Sequence, residues 1–307
     1  MIFPVIRLFV VGVSILYLSS MNRLCILFVI IFFSACKSNQ LLSTTQRKSN
    51  AVKGSAFFHQ ATTMNWKQRD SFAIAELLAG NMPDFLRTFV PVSISITDSA
   101  SNKKITAVLY VTPDYLSVGT NDDWARIPLT PMSSQQIADS LHSFLPTKKI
   151  VDDIYKAANV KLEPVPMFAF RDSTPTMYQH HLIIEGQRKL RKGLIAGIKK
   201  DVVLTEQLKP AGKQNKVAIY GWHYLTGNPI QPVYTGHINW YVDYSHGIRL
   251  IYERIKVNGK WMHYNDVAKD PILFRLLTDE PSFSFIRYPY ESNIFAALQN
   301  LKQWENY

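Results

Sequence analysis

Residues 90–112 read VPVSISITDSASNKKITAVLYVT. Apolar and polar side chains alternate through Val90–Thr97 and again through Lys104–Thr112. That period of two marks a strand with one buried face. The polar stretch Asp98–Lys103 between them predicts a hairpin, and with it an antiparallel sheet. A second hairpin comes next, in which Tyr115–Thr120 and Trp124–Leu129 flank Asn121-Asp122-Asp123. Upstream, Asn65–Leu78 places Trp66, Phe72, Ile74, Leu77 and Leu78 on a helical stripe that stops before Gly80. Downstream, helices are predicted over Ser133–Phe144 behind Pro131, over Thr147–Ala158 with a capping threonine, and over Met177–Ala196. The last third returns to strands at Asp201–Leu204, Val217–His223, His237–Tyr244, Ile248–Val257 and Trp261–Tyr264. Asn258-Gly259 joins the last two as a tight hairpin. Asp266–Leu277 predicts a closing helix with Pro271 near its first turn. The expected class is α+β: an N-terminal helix and β-hairpins, a middle helical region, and a C-terminal mostly antiparallel sheet in one domain over residues 55–307.

The chain opens differently. Met21-Asn22-Arg23 is a short positive start, Leu24–Phe33 an apolar run, and Ser34-Ala35-Cys36 a small-residue site ending in cysteine. This order orients a secretory signal, keeps its apolar core too short to span a bilayer, and suits a signal peptidase. Residues 21–36 resemble a bacterial lipoprotein signal, with Phe33 where that family more often has Leu. The resemblance implies cleavage after residue 35 and lipidation of Cys36. Residues 1–20 are a second apolar run before a second methionine, read here as an upstream extension. Residues 37–54 are polar and without periodicity, so residues 36–54 are expected to be a lipidated cysteine and a tether. Lys37 follows the cysteine and no acidic run does. By resemblance to lipoprotein sorting, this favours an outer membrane facing the periplasm.

Of the two cysteines, Cys25 falls inside the signal and Cys36 would carry lipid. That leaves no thiol for a cysteine nucleophile, a thiolate zinc site or an internal disulfide. Removing residues 1–36 takes away Arg7 and Arg23 and no acid, leaving 32 basic residues against 23 acidic and a charge of +9. Such a balance suits the membrane surface or an anionic envelope polymer. An envelope address and the lack of a long basic run argue against nucleic acid.

Four of the eight histidines lie between His223 and His263. On a strand over His237–Tyr244, His237, Asn239, Tyr241 and Asp243 share one face, while Ile238, Trp240, Val242 and Tyr244 share the other. Solvent exposure would explain the polar face. A lined pocket would explain its composition better, because these groups exchange protons or bind metals. The candidate catalytic residues are therefore His237, Asp243 and His246, and the candidate substrate-binding residues are Arg249, Tyr241 and Asn239. Zinc is the cofactor such a set would take, with His237, Asp243, His246 and His223 as candidate ligands. The His237…Asp243 spacing loosely resembles the His…Asp ligand pair of D-Ala-D-Ala-type zinc peptidases, one residue shorter. Ser245-His246-Gly247-Ile248-Arg249-Leu250 resembles the signature of L,D-transpeptidases. In that family a nucleophilic cysteine follows Ser-His-Gly; here Ile248 follows directly. The resemblance extends to a related scaffold at most, without transpeptidase chemistry. A serine triad ranks last, because Ser245 and His246 are neighbours that point apart and no Gly-x-Ser-x-Gly elbow is present.

His180-His181, in a predicted helix, reads as one packed and one exposed ring, and Lys199-Lys200-Asp201 as a surface turn, with an anion-binding point beside the site as the alternative. Arg249 has Glu253 as an alternative partner, and Trp222, Trp240 and Trp261 read as core residues, one of which could stack on a sugar. The expected function is a lipid-anchored envelope hydrolase of a wall- or envelope-derived peptide or glycan, metal-dependent rather than serine-dependent. The alternative is a non-catalytic ligand-binding or structural envelope lipoprotein.

Overall fold

Two apolar strands in register build the centre of the molecule. The computed structural model describes residues 40–290; the extension 1–20, the signal 21–35, the lipidation site Cys36 and residues 37–39 lie outside them, as do residues 291–307. The described chain begins with a segment that corrects the tether expectation. Gln40 accepts a backbone hydrogen bond from Phe89, Leu41 bridges Thr88, and Leu42 is buried in the core. Thr45 and Arg47 then bond the carbonyls of Leu78 and Met82. Polar composition hid a single buried leucine.

Helix α1 (Gly54–Gln60) starts where the tether was expected to end. A Cβ at Gly54 would stand 2.6 Å from the Trp124 backbone, so only glycine permits this approach. The Asp123 carboxylate accepts from the Ser55 backbone N–H and hydroxyl at the helix start. Helix α2 (Trp66–Leu78) carries the capping box of Asn65 and Gln68. The hairpin of β1 (Val90–Thr97) and β2 (Lys104–Val111) pairs from Val90↔Val111 to Thr97↔Lys104, as its alternation requires. A short hairpin of β3 (Ser117–Gly119) and β4 (Trp124–Arg126) comes after it. Helix α3 (Pro131–Ser140) is shorter than its pattern, because Ser143–Phe144 leaves it as strand β5. Helix α4 (Lys148–Ala157) is capped by Thr147 as expected.

Beyond a short strand β6 (Val160–Lys161), helix α5 spans Thr174–Arg188 rather than reaching Ala196. It ends because Lys189 and Leu190 turn left-handed, at φ 48° and 61°. The chain then forms β7 (Ile195–Ala196), parallel to β6, and β8 (Lys200–Val202). Strand β9 (Ile219–His223) pairs with β8 and with β10 (Pro229–Tyr234), which lies outside the strands expected from the sequence. Strand β11 (His246–Gly247) runs parallel to β8, completing a four-stranded sheet ordered β10-β9-β8-β11. The expected strand Ile248–Val257 is split into β12 (Ile251–Tyr252) and β13 (Arg254–Val257), both paired to β2. The Asn258-Gly259 turn leads to β14 (Lys260–His263). Helix α6 (Tyr264–Lys269) ends before Pro271, and a 3-10 turn at Leu273–Leu276 replaces the expected continuation.

The fold is α+β. A six-stranded sheet ordered β14-β13-β2-β12-β5, with β1 on β2, joins the early hairpin to the C-terminal strands. One apolar core runs beneath both sheets, from Phe57, Ile74 and Leu77 to Ile251, Ile255 and Leu277. No helix among the described residues is long and apolar enough to cross a membrane.

Candidate functional site

The polar constellation is assembled by a turn rather than by the strand expected over His237–Tyr244. After Gly236 the chain makes one bridge, Lys216↔Ile238, then turns at Asn239-Trp240, where the Tyr241 N–H bonds the Ile238 carbonyl. The alternation breaks there. Ile238 and Trp240 are 37% and 47% exposed, whereas Val242, Asp243 and Tyr244 are buried.

Asp243 organises the approach to β11. One carboxylate oxygen accepts from the Ser245 N–H at 2.8 Å and the Ser245 hydroxyl at 2.5 Å, an Asx turn that aims the chain into that strand. The other accepts from Arg171 at 2.9 Å, with the Tyr241 hydroxyl 3.5 Å away. Burial pushes the Asp243 carboxyl up; the neighbouring His246 and the Ser245 hydrogen bonds outweigh it and hold the group below the usual carboxylate range. His246 lies 4.0 Å from Asp243, and its ring centroid is 6.2 Å from those of His237 and Tyr241. The His237 and Tyr241 rings are 4.6 Å apart. Thus His237, Tyr241, Asp243 and His246 share one wall.

His246 is 1% exposed, and neither ring nitrogen has a hydrogen-bond partner among the described residues. Burial lowers its pKa to about 4, so the ring is neutral at neutral pH. His237, half-buried, is lowered in the same way. Pairing of β11 with β8 places Lys200 opposite His246, and pairing of β8 with β9 places it opposite Gly221. Lys200 was expected in a surface turn. Instead Lys199, Lys200 and Asp201 are all buried. Lys199 contacts His180 at 3.1 Å and the Tyr244 carbonyl, and burial lowers its pKa to about 7. Both His180 and His181 are buried, against the expectation that one would be exposed.

Other candidates lie elsewhere. His223 stacks on Tyr155 and meets Asp152 at 3.2 Å, in contact with Tyr220. It is not part of the His246 group. Nor do the proposed ligands form a zinc cage: among the described residues no three His, Cys, Asp or Glu side chains are placed to hold a metal ion together. The reason is in the turn, which commits Asp243 to Ser245 and Arg171. Arg249 is also withdrawn from substrate binding. Its guanidinium donates to the Thr112 and Ile195 carbonyls at 2.8 and 2.7 Å and lies 4.3 Å over Tyr115. Glu253, its alternative partner, instead faces His142 and His263. Gly247 explains this crowding, since a Cβ there would stand 2.6 Å from both Lys199 and Tyr115. Asn239 is half-buried and pairs through its backbone with Asn215, while its side chain makes no hydrogen bond among the described residues. Ser245 gives its hydroxyl to Asp243, not to His246, as expected of neighbours that point apart.

Sequence reasoning misses Arg171, and it ranks the surface turn above an anion-binding point for Lys200. Arg171 comes from the loop before α5, far away in the chain, and carried no local signal. Of the three tryptophans taken as core, only Trp222 is buried; Trp240 and Trp261 are 47% and 38% exposed. A cleft of about 290 Å3 opens beside the wall, lined by Trp66, Arg69, Asp172, Ser173, Trp240 and Tyr241 among others. Tyr241 links that cleft to Asp243. Comparison with protein-family models, with curated proteins and with solved structures gave no match.

Proposed function

We propose that this chain is a lipid-anchored cell-envelope protein that hydrolyses a wall- or envelope-derived peptide or glycan, using His237 and His246 for proton transfer beside Asp243. The observation that carries the reading is the shared wall: two imidazoles, both shifted towards the neutral form, next to an ionised carboxylate. A neutral imidazole can take a proton from water, and a nearby carboxylate stabilises the imidazolium that results. The cleft along Tyr241 and Trp240 offers the aromatic and polar lining that a peptide or sugar needs. Cys36, by its resemblance to a lipoprotein signal, supplies the anchor, and an excess of basic side chains suits an anionic envelope polymer. This wall uses proton transfer rather than a three-ligand zinc site.

The test incubates the purified full chain in detergent with isolated peptidoglycan and its soluble fragments. Turnover is expected, falling by about a hundredfold or more in His246→Gln and in Asp243→Asn. Turnover that is unchanged in both variants ends the hydrolase reading. Mass spectrometry of the mature chain is expected to show acyl groups at residue 36, absent in Cys36→Ser.

A second reading, non-catalytic ligand binding, is favoured by one observation. Asp243 is filled by Ser245 and Arg171 and stands 4.0 Å from His246, outside hydrogen-bond reach. Ligand binding without turnover in the wild-type chain would support it.

A further inference from the structure

Buried donors without acceptors are rare, because each loses its hydration for nothing in return. Two residues with such groups belong to the β8–β9–β11 sheet, and an unpartnered ammonium stands beside them. His246 leaves both ring nitrogens unpaired. Trp222 is 6% exposed, and its indole N–H has no partner. Lys200 is 7% exposed as a residue, and its ammonium, only partly buried, makes no hydrogen bond or ion pair among the described residues. The three are neighbours. Lys200 stands opposite His246 across the β8–β11 pair, and its ammonium lies 5.0 Å from the Trp222 ring.

The backbone at Trp222 departs from the regular pleat of β9. Trp222 adopts φ 59°, a left-handed conformation that a bulky residue rarely takes, while its backbone N–H bonds the Lys199 carbonyl. Without that departure, the regular pleat of β9 would alternate Gly221, Trp222 and His223 across the sheet. His223 meets Asp152 and Tyr155. The charge is lopsided. Arg171 and Lys200 flank Asp243, and among the described residues Asp243 already accepts four hydrogen bonds. What this corner lacks is an acceptor with negative charge.

We propose that Lys200, Trp222 and His246 form a subsite for an oxyanion, the carboxylate or phosphate group of the ligand, with Arg171 at its outer edge. An oxyanion would accept from the ammonium, the indole N–H and one imidazole N–H at once, and charge-assisted bonds of this kind are the strong ones. The ligand class of the proposed site is thereby narrowed to anionic molecules. This inference rests on that wall being a ligand site but not on hydrolysis there.

The test uses the full chain in detergent, labelled with 15N in tryptophan, with the Trp222 indole resonance assigned through Trp222→Phe. Sodium acetate, inorganic phosphate and neutral acetamide are titrated at constant ionic strength against chloride. Acetate or phosphate is expected to move the Trp222 indole resonance saturably, and acetamide to leave it in place. A tighter response to acetate assigns a carboxylate-bearing ligand, and a tighter response to phosphate a phosphorylated one. Lys200→Met is expected to weaken the response by about tenfold or more, the loss of one charge-assisted bond. Lys200→Arg, which keeps the charge, should retain most of it. An unmoved resonance with both anions, or equal affinity in Lys200→Met, overturns the proposal: the donors are then satisfied by water alone. Anion binding without hydrolysis leaves the subsite standing while the hydrolase reading falls. Hydrolysis of a neutral substrate with no anion response does the reverse.

Discussion

His246 carries a pH dependence whose sign is set by its burial. Its folded pKa of about 4 lies below the ordinary histidine value of 6.5. Between these values the unfolded chain binds a proton that the folded chain refuses. The stabilisation from neutral His246 is therefore complete above about pH 6.5 and is lost as pH falls towards 4. Asp201 works in the opposite sense. Burial raises it from 3.8 to about 6 despite Arg249 and the Tyr115 hydroxyl, so its contribution is lost as pH rises through that range. Replacing His246 isolates the first effect. In urea unfolding, the wild type should lose roughly 2 kcal/mol more than His246→Gln between about pH 7 and about pH 4.5. Parallel loss in both proteins would mean that His246 titrates normally. At this scale the sequence named the wall but not its surroundings. His237, Tyr241, Asp243 and His246 are close in the chain, so local spacing revealed them. Lys199-Lys200-Asp201 resembled a turn because three consecutive ionisable side chains are usually solvated. Their burial is imposed by Tyr244, Tyr115 and β11, which no local window contains.

Elements were readable where local chemistry sets their ends. The Thr147 hydroxyl accepts from the Ile150 N–H at the start of α4 and donates to the Leu277 carbonyl, fastening the helix to the 3-10 turn after α6. Thr147→Ala removes both bonds, and a loss of about 1–2 kcal/mol is expected in denaturant unfolding. Asn258 occupies a left-handed position at φ 44°, and its side chain accepts from Thr106 on β2. Asn258→Ala should cost about 1 kcal/mol or more by the same measurement, since it strains the turn and strips that strand contact. The alternation of β1 and β2 and the Asn-Gly turn were visible for the same reason: each needs only neighbours in sequence. The expected strand over His237–Tyr244 was not, because the Asn239-Trp240 turn overrides an intact period of two. Likewise α5 stops at Arg188 on left-handed Lys189 and Leu190, residues with no intrinsic preference for that conformation.

At the scale of the molecule, the first packed residues belong to the domain, not to a tether. Leu42 is 4% exposed in the main core. Leu42→Ala should therefore destabilise the protein by about 2–3 kcal/mol in urea unfolding, whereas a residue in a free tether would change nothing. The α+β class was legible because the order of helices and hairpins limits the layers available. The sheet order was not, because it depends on which distant strands meet. Strand β2 is the clearest case: β1 covers one edge, while among the described residues the other is covered by β12 and β13, encoded some 140 to 150 positions later. During synthesis that second edge emerges long before its partners. The early hairpin is therefore a sticky ribbon until nearly the whole chain has been made. Folding must close a very long loop before the central sheet exists, which predicts slow, late-committing kinetics and aggregation of C-terminal truncations ending before residue 251.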